Sequence, residues 1–151
     1  MIYKLSALIV IVCIAALFTA AHFSSLPQNI GITGGKLSPC PDSPNCVSSQ
    51  ENDQKHATPA IKASGPSKQV MKNLRKCVRK MGGKIKTPKG PYLHAEFRSK
   101  LFRFVDDLEC VYDEVEGKIE VRSAARLGYS DFGVNRKRVE ELRRLFEAEN
   151  K

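Results

Sequence analysis

Tyr92-Leu93-His94-Ala95-Glu96-Phe97-Arg98-Ser99 alternates apolar and polar side chains, and this period of two decides the fold. Successive side chains of a strand point to opposite faces, so Leu93, Ala95 and Phe97 are expected on a buried face, with His94, Glu96 and Arg98 on the other. Downstream, Phe102, Phe104, Leu108, Cys110 and Tyr112 continue the pattern, opposed by Arg103, Asp107 and Glu109. A hairpin at Glu116-Gly117 leads to Ile119 and Val121, which alternate with Glu120 and Arg122. Upstream, Lys84-Ile85-Lys86-Thr87 reads as a short strand closed by a Pro88-Lys89-Gly90-Pro91 turn.

On either side the period lengthens to that of a helix. From Pro66-Ser67 to about Met81, Val70, Met71, Leu74, Cys77, Val78 and Met81 share one side, whereas Lys68, Lys72, Arg75, Lys76, Arg79 and Lys80 share the other. Gly82-Gly83 ends that helix. A last helix is expected to start near Asn135 as its cap, with Val139, Leu142, Leu145 and Phe146 as the buried stripe. The predicted fold is α+β: a four-stranded antiparallel meander with two helices packed on one face, in the order helix, four strands, helix, over residues 61–151. The other sheet face is left polar. Residues 22–60, rich in Gly, Ser, Pro, Asn and Gln, read as a leader and irregular loop.

Before them, residues 5–21 carry no charge. As a helix that run is roughly 26 Å long, against ~30 Å for the hydrocarbon core of a bilayer. Residues 1–21 therefore read either as a signal peptide, with Thr19-Ala20-Ala21 at the cleavage position, or as a retained N-terminal anchor. Lys4 precedes the run and the next cation is Lys36, which predicts that the body of the protein lies outside the cytoplasm. The expected location is the periplasmic side, anchored to the inner membrane or soluble there after cleavage. With a formal net charge of +9 the chain is drawn to anionic surfaces, and export disfavours nucleic acid as the partner.

An exported chain permits disulfides. In Cys40-Pro41-Asp42-Ser43-Pro44-Asn45-Cys46 the Ser-Pro-Asn turn brings the two thiols together, so a structural bridge is expected. A zinc site needs further ligands at characteristic spacing, and a thioredoxin-like pair has two intervening residues, not five. Cys77 and Cys110 fall on apolar faces and read as buried thiols, their pairing left to geometry.

Three candidate sites stand out, each beside a plainer reading. The first is the polar sheet face with the loop beyond it, where Arg98, Asp106, Asp107, Arg122, Arg126, Ser130, Asp131 and Arg136 are candidate ligand-binding residues with His94 and Glu96; the plain reading is a solvated face with surface ion pairs. The strand period turns Asp106 toward the apolar side, where it needs Arg126 or Arg136 as partner unless a bulge intervenes. Acid/base catalysis by Glu96, Asp106, Asp107 and Asp131 is the rival function, and requires them to converge. The second is the start of the last helix, an anion site or simple capping by Asp131 or Asn135. The third is the basic helix face, Lys68, Lys72, Arg75, Lys76, Arg79 and Lys80, lying in a stretch with no acid between Gln54 and Ala95. It suits an anionic lipid surface or acidic partner, or is answered by the acidic strand that follows. No cofactor is implied: Asp131-Phe132-Gly133 lacks the companion loops of a kinase, and Ile30 breaks a phosphate-loop reading of the stretch ending Gly35-Lys36.

Three blocks, Cys40 to Ser49, Phe102-Arg-Phe-Val-Asp-Asp-Leu-Glu109 and Arg122-Ser-Ala-Ala-Arg-Leu-Gly-Tyr-Ser-Asp-Phe-Gly-Val-Asn-Arg136, resemble the signature blocks of the domain-of-unknown-function 1499 family. The resemblance spans Pro39 to Phe146. It implies an exported or membrane-attached protein of bacterial type, with relatives in photosynthetic eukaryotes, and brings no catalytic residue or cofactor. The segment from Lys62 to Gly90, with its basic face, carries no such block.

Overall fold

A computed structural model describes residues 26–150 and, in the opening segment, positions 6, 9, 12, 15 and 19. The signal segment or anchor expected over residues 1–21 lies outside the described residues except at those five positions. Among the described residues no helix is long and apolar enough to cross a membrane. In chain order the elements are β1 (Ile32–Thr33), β2 (Lys36–Leu37), β3 (Cys46–Ser48), β4 (Ile61–Lys62), α1 (Ser67–Lys80), β5 (Lys84–Lys89), β6 (Tyr92–Arg98), β7 (Val105–Asp113), β8 (Lys118–Ala125) and α2 (Val134–Glu149).

The period-two stretch forms β6, which pairs antiparallel with β5 and β7, and β7 pairs with β8. Leu93, Ala95, Leu108, Cys110, Ile119 and Val121 share its apolar face. Onto them α1 packs Val70, Met71, Leu74, Cys77 and Val78, and α2 packs Val139, Leu142, Leu145 and Phe146. The fold is thus α+β, with two helices among the described residues. The sheet differs from expectation: among the described residues it has six strands, not four, in the order β3-β8-β7-β6-β5 with β4 also on β8, and β1 and β2 form a separate two-stranded sheet. Strands of two or three residues are too short to show a period, which is why the segment read as irregular hides β1 to β4.

Other local departures have physical reasons. Phe102 and Phe104 do not continue a strand: Ser99 N–H donates to Phe104 O at 2.9 Å and Phe104 N–H to Ser99 Oγ at 3.0 Å, closing a loop before β7 begins. Strand β5 runs on through Pro88, which an edge strand tolerates because that position needs no second partner. The register through Asp106 and Asp107 is unbroken, so no bulge intervenes. At the junction of α1 and β5 the backbone of Gly83 lies against Phe97, where an added Cβ would sit 2.6 Å from the ring.

The largest correction concerns the face away from the helices. It is polar but not solvated: His94, Glu96, Asp107, Glu109 and Arg122 are all buried. The leader folds back over it, with Gly31 N–H donating to Glu109 Oε1 at 2.7 Å, Leu37 buried, and Cys40 bridged to Cys46 on β3.

Candidate functional site

On the leader-covered face, alternation sets Glu96 opposite Asp107 and His94 opposite Glu109, which in turn faces Arg122. Arg126, just past the end of β8, reaches back over this row. Its Nη2 donates to Glu96 Oε1 and Asp107 Oδ1, both at 2.7 Å, and its Nε to Asp107 Oδ2 at 2.8 Å. His94 Nε2 donates to Asp107 Oδ1 at 2.7 Å. Burial alone would raise the Asp107 and Glu96 carboxyls, but the hydrogen bonds from Arg126, joined at Asp107 by His94, outweigh it and hold both below their ordinary values. The same bonds raise the Arg126 guanidinium further. Glu109 accepts from Arg122 Nη1 at 3.1 Å and Tyr92 Oη at 2.8 Å. Burial and that bond to Glu109 push the Tyr92 phenol upward. Each charged member is paired inside the protein, which is how buried charge is tolerated, while the buried Arg122 Nε has no hydrogen-bond partner among the described residues.

Asp106 faces the helices, as its parity requires, but its partner is neither Arg126 nor Arg136. Arg138 Nη2 donates to it at 2.6 Å while the guanidinium lies 4.7 Å from the Phe97 ring centroid. Burial raises the Asp106 carboxyl and Arg138 only partly offsets that. Arg138 also bonds Asn135, whose Oδ1 accepts from Ser123 Oγ at 2.7 Å and whose Nδ2 donates to Asn45 O at 3.0 Å. Asn135 is therefore a buried tie and not the cap. The cap position is Gly133, at φ 78°, and Asp131 supplies the side-chain acceptor for the N–H groups of Gly133 at 3.0 Å and Asn135 at 2.7 Å. Ser130 Oγ accepts from Phe132 N–H at 3.2 Å. Arg136 is spent on the backbone carbonyls of Ala57 and Lys55 at 2.7 and 2.9 Å.

The four carboxylates of the acid/base reading thus do not form one cluster. Glu96 and Asp107 lie on one face of the sheet and Asp106 on the other. Asp106 and Asp131 do share a groove of about 720 Å³ between the β6–β7 loop and the β8–α2 loop, lined largely by apolar side chains including Leu101, Phe104, Leu127 and Phe132. Among the described residues no group of three or more His, Cys, Asp or Glu is placed to hold a metal ion.

The basic face of α1 is where its period put it. Lys68, Lys72, Lys76, Arg79 and Lys80 are exposed and Arg75 is half-buried. On edge strand β5, Lys84, Lys86 and Lys89 are exposed as well. Among the described residues the one ion pair to the α1 face joins Lys76 to Glu149 of α2. The acids of β7 do not answer it, because Asp107 and Glu109 point to the opposite side of the sheet.

Residues 36–146 match the family model described as Protein of unknown function (DUF1499). The chain belongs to the DUF1499 family. No curated protein and no solved structure matches it. In this DUF1499 domain the Cys40–Cys46 bridge forms, while Cys77 and Cys110 stay free and buried, so burial raises both thiols. Of the residues singled out on the sheet face, Asp107 and Arg126 come together with His94 and Glu96. Arg122 pairs with Glu109, and Arg98, more exposed, lies 3.6 Å from Glu96. Sequence reasoning missed Arg138 and read Asn135 as a helix cap instead of a buried tie. Both sit on the spacing of the buried stripe, Arg138 four residues before Leu142 and Asn135 four before Val139, and a polar residue on that spacing marks a buried polar tie.

Proposed function

We propose that this DUF1499 domain is a non-enzymatic envelope module that docks on an anionic bilayer surface through the cationic face of α1. The observation that carries this reading is the separation of charge by face. Lys68, Lys72, Arg79 and Lys80 are exposed on the outer face of α1, where Glu141 and Glu149 of α2 are the neighbouring acids, while Glu96, Asp107 and Glu109 of the sheet are locked to His94, Arg122 and Arg126 on its other face. Each Lys or Arg near an anionic bilayer contributes about 1 kcal/mol, so several acting together suffice for reversible docking. An N-terminal signal or anchor delivers the domain to such a surface.

The test is co-sedimentation of the full chain with anionic and with zwitterionic vesicles at low and high salt. Binding is expected to exceed the zwitterionic control only with anionic lipid and to weaken with salt. Reversing Lys72→Glu and Lys80→Glu together should reduce the anionic-specific part by about tenfold or more. Equal binding to both lipids at all salt concentrations refutes the reading. Preference for a soluble polyanion over anionic vesicles points instead to an acidic protein or polymer partner.

A further inference from the structure

We propose that the groove between the β6–β7 and β8–α2 loops binds the apolar chain of a single-tailed anionic amphiphile, its head held at the rim by Lys100. This site is separate from the cationic helix face and does not depend on it.

The groove's volume, about 720 Å³, is that of a small-molecule site, and its walls are apolar: Leu101, Phe102 and Phe104 from one loop, Leu127, Phe132 and Val134 from the other side. Leu101 is 68% and Phe132 90% exposed. Soluble domains rarely leave so many large apolar groups together in water without a use for them. Phe132 is further held at φ 54°, a left-handed conformation that a bulky residue adopts only under constraint from its surroundings, here the Ser130 and Asp131 turns. The groove is thus built by the fold, with an aromatic side chain held out at its edge.

Charge selects the class of ligand. The two acids in the groove already have hydrogen-bond partners, Asp106 in Arg138 and Asp131 in the N–H groups that start α2. The groove's own cation is Lys100, exposed on the same loop as Arg103. An apolar body inside and an anion at the Lys100 rim satisfy both parts at once. A free inorganic anion would leave the apolar walls uncovered, and a neutral hydrocarbon would leave the cations unused.

The full-length chain should be photolabelled with dodecanoate bearing a terminal diazirine, used as monomer and mapped by peptide mass spectrometry. Labels are expected on residues 99–104 and 127–134, and to be competed by unlabelled dodecanoate. Leu101→Asp with Phe132→Asp should weaken labelling by at least about tenfold with the thermal midpoint unchanged, since both side chains are exposed. Lys100→Glu, also exposed, should weaken labelling by dodecanoate but not by a neutral dodecyl probe. Lys72→Glu with Lys80→Glu should leave labelling intact, so a failure of bilayer docking remains distinguishable. Labelling spread evenly over the surface, unchanged in both groove variants, or seen only when vesicles are present overturns the proposal.

Discussion

Arg126 holds two buried carboxylates, Glu96 and Asp107, and without it each is a charge in a place water does not reach. Replacing it by Met keeps the length and removes the charge, which should cost about 3–5 kcal/mol in urea denaturation. The sign of the pH dependence follows from the same contacts. The folded Asp107 and Glu96 carboxyls lie below their ordinary 3.8 and 4.5, so their stabilisation is present above those values and lost as pH falls through the folded ones. Asp106 runs the other way: raised above 3.8, its contribution is full below that value and fades as pH rises through the folded one. Arg126→Met should therefore flatten or invert the loss of stability on acidification below about pH 5, measured by denaturation at a series of pH values. An acid limb identical to wild type would detach the two carboxyls from Arg126. At this scale the sequence shows that Asp106 must find a cation, because strand parity turns it inward. It does not show which, since the partner depends on how α2 is rotated over the sheet.

Among the elements, the disulfide loop reaches furthest beyond its own contacts. Cys40–Cys46 fixes the turn that carries Asn45, whose Nδ2 donates to Gly128 O at 2.6 Å and whose carbonyl accepts from Ala125 N–H at 2.9 Å. His56 Nε2 secures the same turn by donating to Ser43 O at 3.2 Å. The bridge thus braces the β8–α2 loop, one wall of the groove. Cys40→Ser with Cys46→Ser should cost about 2 kcal/mol, as expected for so short a loop, and should raise amide exchange in residues 126–133 more than in β6 or β7. Equal exchange throughout would mean that the brace is local to the loop. At the other end of the core, Gly83→Ala forces a methyl group against Phe97 and should cost about 1–3 kcal/mol by thermal or urea unfolding. Helices α1 and α2 and strands β6 to β8 were legible because each shows several periods of its pattern. β3 and β4 were not, because their place is set by pairing with β8 and not by any pattern within two or three residues.

At the scale of the whole molecule, the two faces of one sheet divide the electrostatics. One side buries a network whose acids are paired with His94, Arg122 and Arg126 under the folded-back leader, and the other carries the helices, of which α1 has a cationic outer face. The buried network was read from sequence as solvated because alternation reports which residues share a face, not whether a distant segment covers it. The cationic surface was fully legible, since helical period alone separates Lys68, Lys72, Lys76, Arg79 and Lys80 from the core stripe. The most direct measurement of its role is lysine acetylation footprinting of the full chain on anionic and on zwitterionic vesicles, a contrast in which any N-terminal anchor is held constant. Lys68, Lys72 and Lys80 should lose reactivity on the anionic surface while Lys36, Lys55 and Lys137 keep theirs. Equal reactivity of the two groups on anionic vesicles, or protection falling on the second group, would contradict the account.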